Sequence, residues 1–177
     1  MWTTSGCKVG NCLSFSSGSN VYVRVPNNTS FNFGSGSYTI SAWINTPDST
    51  YYDIVGVGDN DTAAWRALTY PWGNHNIWLF AGDGNTSYPL GPLLPLNTFV
   101  HVVFGYNATA GKVFYALNGV YSSTTATNIP VSSAKSLTIG SDSYGNVHLF
   151  VGTMDDVRIY NRALSAAEVM ALYNATK

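Results

Sequence analysis

The sequence predicts an all-β fold: a two-sheet antiparallel sandwich with one short C-terminal helix. Three observations predict it. Short apolar, β-branched and aromatic runs recur along the chain, separated by turns rich in Gly, Asn, Asp and Pro. Helical periodicity is almost absent before Ser165. The last twenty-odd residues read as a strand, a tight corner and a capped helix.

In chain order, strands are expected at 20–25, 38–45, 53–57, 64–70, 76–81, 98–106, 112–117, 136–139, 149–151 and 154–160. Gly-Ser-Gly at 34–36, Asp-Gly at 83–84, Ala-Gly at 110–111 and Asn-Gly at 118–119 punctuate them. Asn118-Gly119, between two apolar runs, is the strongest short hairpin signal. Pro89, Pro92 and Pro95 mark an extended connection before Thr98. Ser165 stands at the N-cap position with Glu168 three residues on, the spacing of a capping box, and Val169, Leu172 and Tyr173 follow at helical spacing. Neither a repeat nor a linker interrupts this pattern, so residues 1–177 are expected to form one domain.

Composition bounds the function. Apolar residues make up 45% of the chain and aromatics 14%, enough for a sizeable core. Charged residues make up 10%, against roughly 25% in average soluble domains. Ser, Thr, Asn and Gly replace them, as on many secreted and cell-surface domains. The net charge of −1 offers no electrostatic footprint for nucleic acid or acidic membranes. The longest apolar runs are too short to span a bilayer, so membrane insertion is not expected. No basic segment followed by an apolar one opens the chain, so no signal peptide is expected, and Met1 reads as a start added for expression or as the start of an excised domain.

Cys7 and Cys12 bracket Lys-Val-Gly-Asn. A structural zinc site needs four ligands and no His lies nearby, so a small disulfide is the expected use, which implies an oxidising, extracellular setting. Sequons at Asn27, Asn28, Asn60, Asn85, Asn107 and Asn174 fit that surface, although a chain this rich in Ser and Thr forms several by composition alone.

Lys8-Val-Gly-Asn-Cys-Leu-Ser-Phe15, Asn20-Val-Tyr-Val-Arg-Val-Pro26 and Tyr38-Thr-Ile-Ser-Ala-Trp-Ile44 resemble the opening strands of laminin-G-like domains. Phe99–Tyr106, Gly111–Gly119, Leu137–Gly140 and the closing strand-and-helix unit are similar to the later ones. The resemblance covers nearly the whole chain. It implies a concanavalin-A-like jelly roll, in which Trp43, His101 and Tyr106 are structural.

Some folds of this kind are glycosidases, which need two carboxylates about 5 to 9 Å apart. This chain has a single Glu, Glu168, on the C-terminal helix. Asp155 and Asp156 are adjacent and are expected to face opposite sides of their strand, with Arg158 or Arg162 as a partner for whichever is buried. The Arg-rich and Gln-x-His strands of jelly-roll lyases have no counterpart, nor has a nucleophile elbow. The chain is therefore expected not to be an enzyme.

Two groups of residues point to a ligand. Asp59 and Asn60 follow one strand and Asp142 another, within Gly140-Ser-Asp-Ser-Tyr-Gly145. This resembles the calcium site of pentraxins, although Gly140 and Ser141 stand where that family has further ligands. The other reading of the same residues is ordinary turn chemistry. Asn85, in the Asp-Gly-Asn turn, is a weaker candidate of the same kind.

The second group is aromatic. Trp65, Tyr70, Trp72, His75 and Trp78 fall around the turn Pro71-Trp-Gly-Asn74, with Tyr88 and Tyr144 on other segments. Aromatic faces stack on the apolar face of a sugar ring while Asn and Asp bond its hydroxyls. Trp65 and Trp78 are expected in the core; Trp72, with Tyr70, His75 and Tyr144, is expected to form the platform. The leading expectation is a non-catalytic, extracellular carbohydrate-binding module in which Asp59, Asn60 and Asp142, with or without calcium, bond hydroxyls or an anionic group. The alternative is an adhesive or self-assembling domain whose partner is a protein or a second copy.

Overall fold

The computed structural model describes residues 2–16, 18, 20–47, 52–57, 65–70, 76–81, 86–127, 136–141 and 148–177. For 65–70, 76–81 and most of 86–92 it describes the backbone only. Two antiparallel sheets stack as a jelly-roll sandwich.

The seven-stranded sheet runs β1 (Trp2–Thr3), β2 (Cys12–Phe15), β13 (Gly152–Tyr160), β4 (Tyr38–Asn45), β9 (Val100–Asn107), β10 (Lys112–Leu117), β11 (Val120–Thr125). The six-stranded sheet runs β3 (Val23–Val25), β12 (Leu137–Ile139), β5 (Tyr52–Val57), β6 (Trp65–Tyr70), β7 (Asn76–Ala81), β8 (Thr86–Leu93). Helix α1 (Ala166–Thr176) follows β13.

Alternation along β4 and β9 separates two cores. Tyr38, Ile40, Ala42 and Ile44, with Val100, Val102, Phe104 and Tyr106, fill the space between the sheets. Val103 and its neighbours Phe114 and Ala116 face the other way, where Leu164 and Val169 cover them. Both faces of β4 are buried: Tyr38, Ile40, Ala42 and Ile44 face the core between the sheets, and Thr39, Ser41 and Trp43 on the other face are covered as well. Gly105 sits at the tightest point of this layer. A Cβ there would run into the Tyr38 carbonyl oxygen and come within 2.6 Å of Phe114 Cζ.

The helix is fixed at both ends. Ser165 and Glu168 form the expected capping box. Thr39 Oγ1 donates to the Arg162 carbonyl at 2.7 Å and accepts the Leu164 N–H at 3.0 Å, pinning the corner before α1. Trp43 Nε1 donates to Thr176 Oγ1 at 2.9 Å, pinning the last turn. The Asn118-Gly119 hairpin forms as expected, with φ of 49° and 82°, the pair of positive values that a two-residue hairpin of this type requires.

Four differences from the sequence reading have physical causes. Pro89 and Pro92 of the Pro-rich run lie in strand β8, tolerated because it is a sheet-edge strand, and Pro95 lies just beyond it. The Ser/Thr-rich segment after Gly119 is strand β11, an edge strand that takes its ladder bonds from β10. Residues 149–151 are not a strand; Phe150 N donates to the Gly140 carbonyl outside any ladder. Asp155 and Asp156 do not follow simple alternation, because the register of β13 against β4 shifts between Asp155 and Arg158 and Asp156 adopts φ 49°.

Candidate functional site

The register of the six-stranded sheet decides which loops share an end. Tyr52 pairs with Thr69, and Tyr70 with Asn76, so segment 71–75 leaves the sheet beside the start of β5. On the other side of β5, Gly140 N donates to the Ile54 carbonyl and Asp53 N to the His148 carbonyl. Segment 142–147 therefore opens and closes beside the same end. Only β5 separates the two exits, two strand spacings or about 10 Å. Tyr70 and Asn76 on one side, and Ser141 and His148 on the other, thus flank the start of β5.

Trp72, His75, Tyr144, Asn85, Asp59, Asn60 and Asp142 themselves lie outside the described residues, as do the side chains of Tyr70, Trp65 and Trp78.

The N-terminal segment is built around Asp155. Cys7 and Cys12 form the expected disulfide. Asp155 Oδ2 accepts the N–H groups of Lys8 at 2.8 Å and Val9 at 2.7 Å, and Oδ1 accepts that of Asp156 at 2.8 Å. Its partners are main-chain amides rather than the expected arginine. Asp156 instead pairs with Arg158 Nε at 2.8 Å. Cys7, Cys12 and Asp155 bring their donor atoms within 4.8 Å of one another, but both sulfurs are spent in the disulfide, so the group is a clasp and not a metal centre.

Trp43, His101 and Tyr106 are all buried, as their structural reading requires. Under α1, Trp43 packs on His101 and Tyr173 with ring centroids 5.2 and 5.7 Å apart, and Lys8 Nζ lies 4.6 Å from the Trp43 ring centroid. Burial lowers the His101 imidazole to about 4; Asp156 raises it in part and Arg158 lowers it further. Its main chain is tied to the hairpin turn, since His101 N donates to Asn118 Oδ1 and Asn118 N to the His101 carbonyl, both at 2.9 Å.

Sequence reasoning missed the role of Asp155, because its partners lie 147 and 146 residues away. It also passed over Trp2, whose large exposed ring beside a cysteine loop was the only available signal.

The fold defines a class: the two-sheet antiparallel jelly-roll sandwich closed by one short C-terminal helix. The family model of the concanavalin A-like lectin/glucanases superfamily, a laminin-G type, matches residues 17–170, and the chain belongs to that family. No curated protein matches it in sequence.

Solved structures share its fold at low identity. Domain 4 of the extracellular arabinanase AbnA from Geobacillus stearothermophilus, in complex with arabinotriose, has a TM-score of 0.72 at 19% identity, covering 97% of this chain and 80% of that one. The heptameric SAP-like pentraxin of Limulus polyphemus has a TM-score of 0.69 at 15% identity, covering 90% and 80%. A botulinum neurotoxin type C structure, from work on cell entry through two ganglioside molecules, has a TM-score of 0.72 at 14% identity. It covers all of this chain, which spans 45% of the toxin chain.

Proposed function

We propose that residues 1–177 act as one non-catalytic carbohydrate-binding module of an extracellular protein. The observation that carries the reading is that Tyr70 and Asn76, which flank 71–75, and Ser141 and His148, which flank 142–147, lie on either side of the start of β5. Trp72 is the stacking face of the proposed site, with Tyr70, His75 and Tyr144 beside it. Two further observations support the reading. An arabinanase domain of this fold was solved with arabinotriose, and a toxin of this fold interacts with gangliosides. The Cys7–Cys12 disulfide suits an oxidising compartment.

Calcium assistance is the finer part of the proposal. In it Asp59, Asn60 and Asp142 supply oxygen ligands, and Asn85 is a further polar contact to the ligand. The test is affinity for a bound polysaccharide in wild type and Trp72→Ala. A loss of about tenfold or more supports the platform; unchanged affinity removes it.

A further inference from the structure

A second place on the molecule has the make-up of a ligand site. At the edge of the sandwich where β1 and β2 meet β3 and β12, a cavity of about 490 Å³ opens between the sheets. That volume lies in the range of small-ligand sites. A second hollow of about 370 Å³ shares Trp2 and Asn11 with it, so the two form one groove along β1.

The groove exists because the edge is left open there. The pairing of β13 with β2 ends at Met154, and the irregularity in β13 begins at the next residue. Asp156, in the left-handed region at φ 49°, lines the opening. Bulges re-aim side chains in this way beside functional sites.

The lining is amphipathic. Val9, Leu13 and Val23 form an apolar wall. Trp2 keeps 72% of its surface exposed, an uncovered stacking face at the mouth. Asp156 Oδ1 is taken by Arg158, whereas its other oxygen accepts no bond among the described residues. The exposed Asn11 amide is likewise unbonded among the described residues. Loop 8–11, which carries Val9 and Asn11, is held by the disulfide and by the Asp155 clasp, so these groups are presented on a fixed frame. An apolar wall, an open indole face and convergent carboxylate and amide oxygens match a sugar ring, which has one apolar face and hydroxyls at its edge.

We propose that this groove is a second carbohydrate-contact site, with Trp2 stacking on a sugar ring and Asp156 and Asn11 bonding its hydroxyls; it rests on the carbohydrate-binding reading above. The site lies on a lateral edge of the sandwich, so a long polysaccharide can meet it and the β5 end as two separate contacts.

The experiment follows the tryptophan indole N–H signals of the 15N-labelled protein during titration with di- to tetrasaccharides of arabinose, xylose, glucose and galactose. Trp2→Phe assigns the Trp2 signal, and calorimetry gives affinities for wild type, Trp2→Ala and Asn11→Ala. Both alanine variants sit on exposed positions and leave the core untouched. The expected result is a saturable shift of the Trp2 signal, a loss of affinity of about tenfold in Trp2→Ala and a smaller loss in Asn11→Ala. A saccharide that binds while the Trp2 signal stays still and Trp2→Ala keeps full affinity overturns the groove and leaves the carbohydrate reading standing. Wild type that binds none of the saccharides overturns both.

Discussion

Replacing Asp155 with Asn tests whether one buried carboxylate holds the N-terminal segment on the sheet. The native carboxylate accepts three main-chain N–H groups at 2.7–2.8 Å while only 4% exposed. Hydrogen bonds to a charged acceptor contribute about 1.5–3 kcal/mol each. Asn keeps the shape but offers one oxygen. If that oxygen stays on Lys8 and Val9, its NH2 group meets the Asp156 N–H donor to donor, and the two surviving bonds lose their charge. The expected cost is about 2–4 kcal/mol, a large part of the roughly 5–15 kcal/mol that holds a domain folded.

The assay is equilibrium urea unfolding followed by tryptophan fluorescence, with an unchanged slope showing that the unfolded state is not altered. Asp156→Asn is the control. Its carboxylate pairs with the exposed Arg158, a contact worth about 1 kcal/mol or less, and Asn is at ease at positive φ. If Asp155→Asn costs no more than Asp156→Asn, the clasp is not what holds the segment.

Removing the disulfide with Cys7→Ser and Cys12→Ser closes no loop in the unfolded chain and is expected to cost about 2 kcal/mol, read in the same assay. Because loop 8–11 is held by both devices, its effect combined with Asp155→Asn should deviate from additivity. Gly105→Ala is expected to lower the melting temperature strongly, since its Cβ meets the Tyr38 carbonyl and Phe114; a shift of under a degree would show that the layer gives way there. His101 carries a pH dependence. Unfolded, its imidazole titrates near 6.5, while burial holds the folded form to about 4, so between these values the unfolded state binds a proton that the folded state excludes. Stability is full above pH 6.5 and falls by on the order of 3 kcal/mol by pH 4, and His101→Phe should flatten that slope in urea titrations at pH 7, 5.5 and 4.5.

The elements that were legible in the sequence are those specified locally. β4, β9 and β10 announce themselves by apolar runs ended by turns, the β10–β11 turn by Asn118-Gly119, and α1 by Ser165 and Glu168. The edge strands were less legible because what makes them strands is their neighbour. β11 has four Ser/Thr residues and takes its register from β10, and β8 carries prolines that only an edge position permits. The Cys7–Cys12 pairing was readable from five residues of separation, whereas the clasp that completes it joins residues almost the whole chain apart. For the candidate site, residue types suggested stacking and oxygen donors, but which loops share an end is a property of strand register. That register sets Tyr70 and Asn76 on one side of the start of β5 and Ser141 and His148 on the other.

The central claim is that this domain binds carbohydrate without catalysis. The most direct test is binding of the purified protein to a broad glycan and polysaccharide panel, in calcium and again in EDTA, with product analysis of every bound saccharide. The account predicts saturable binding to at least one class of saccharide, recovered uncleaved, with any loss in EDTA restored by added calcium. Silence across the panel, or cleavage of the bound saccharide, would contradict it.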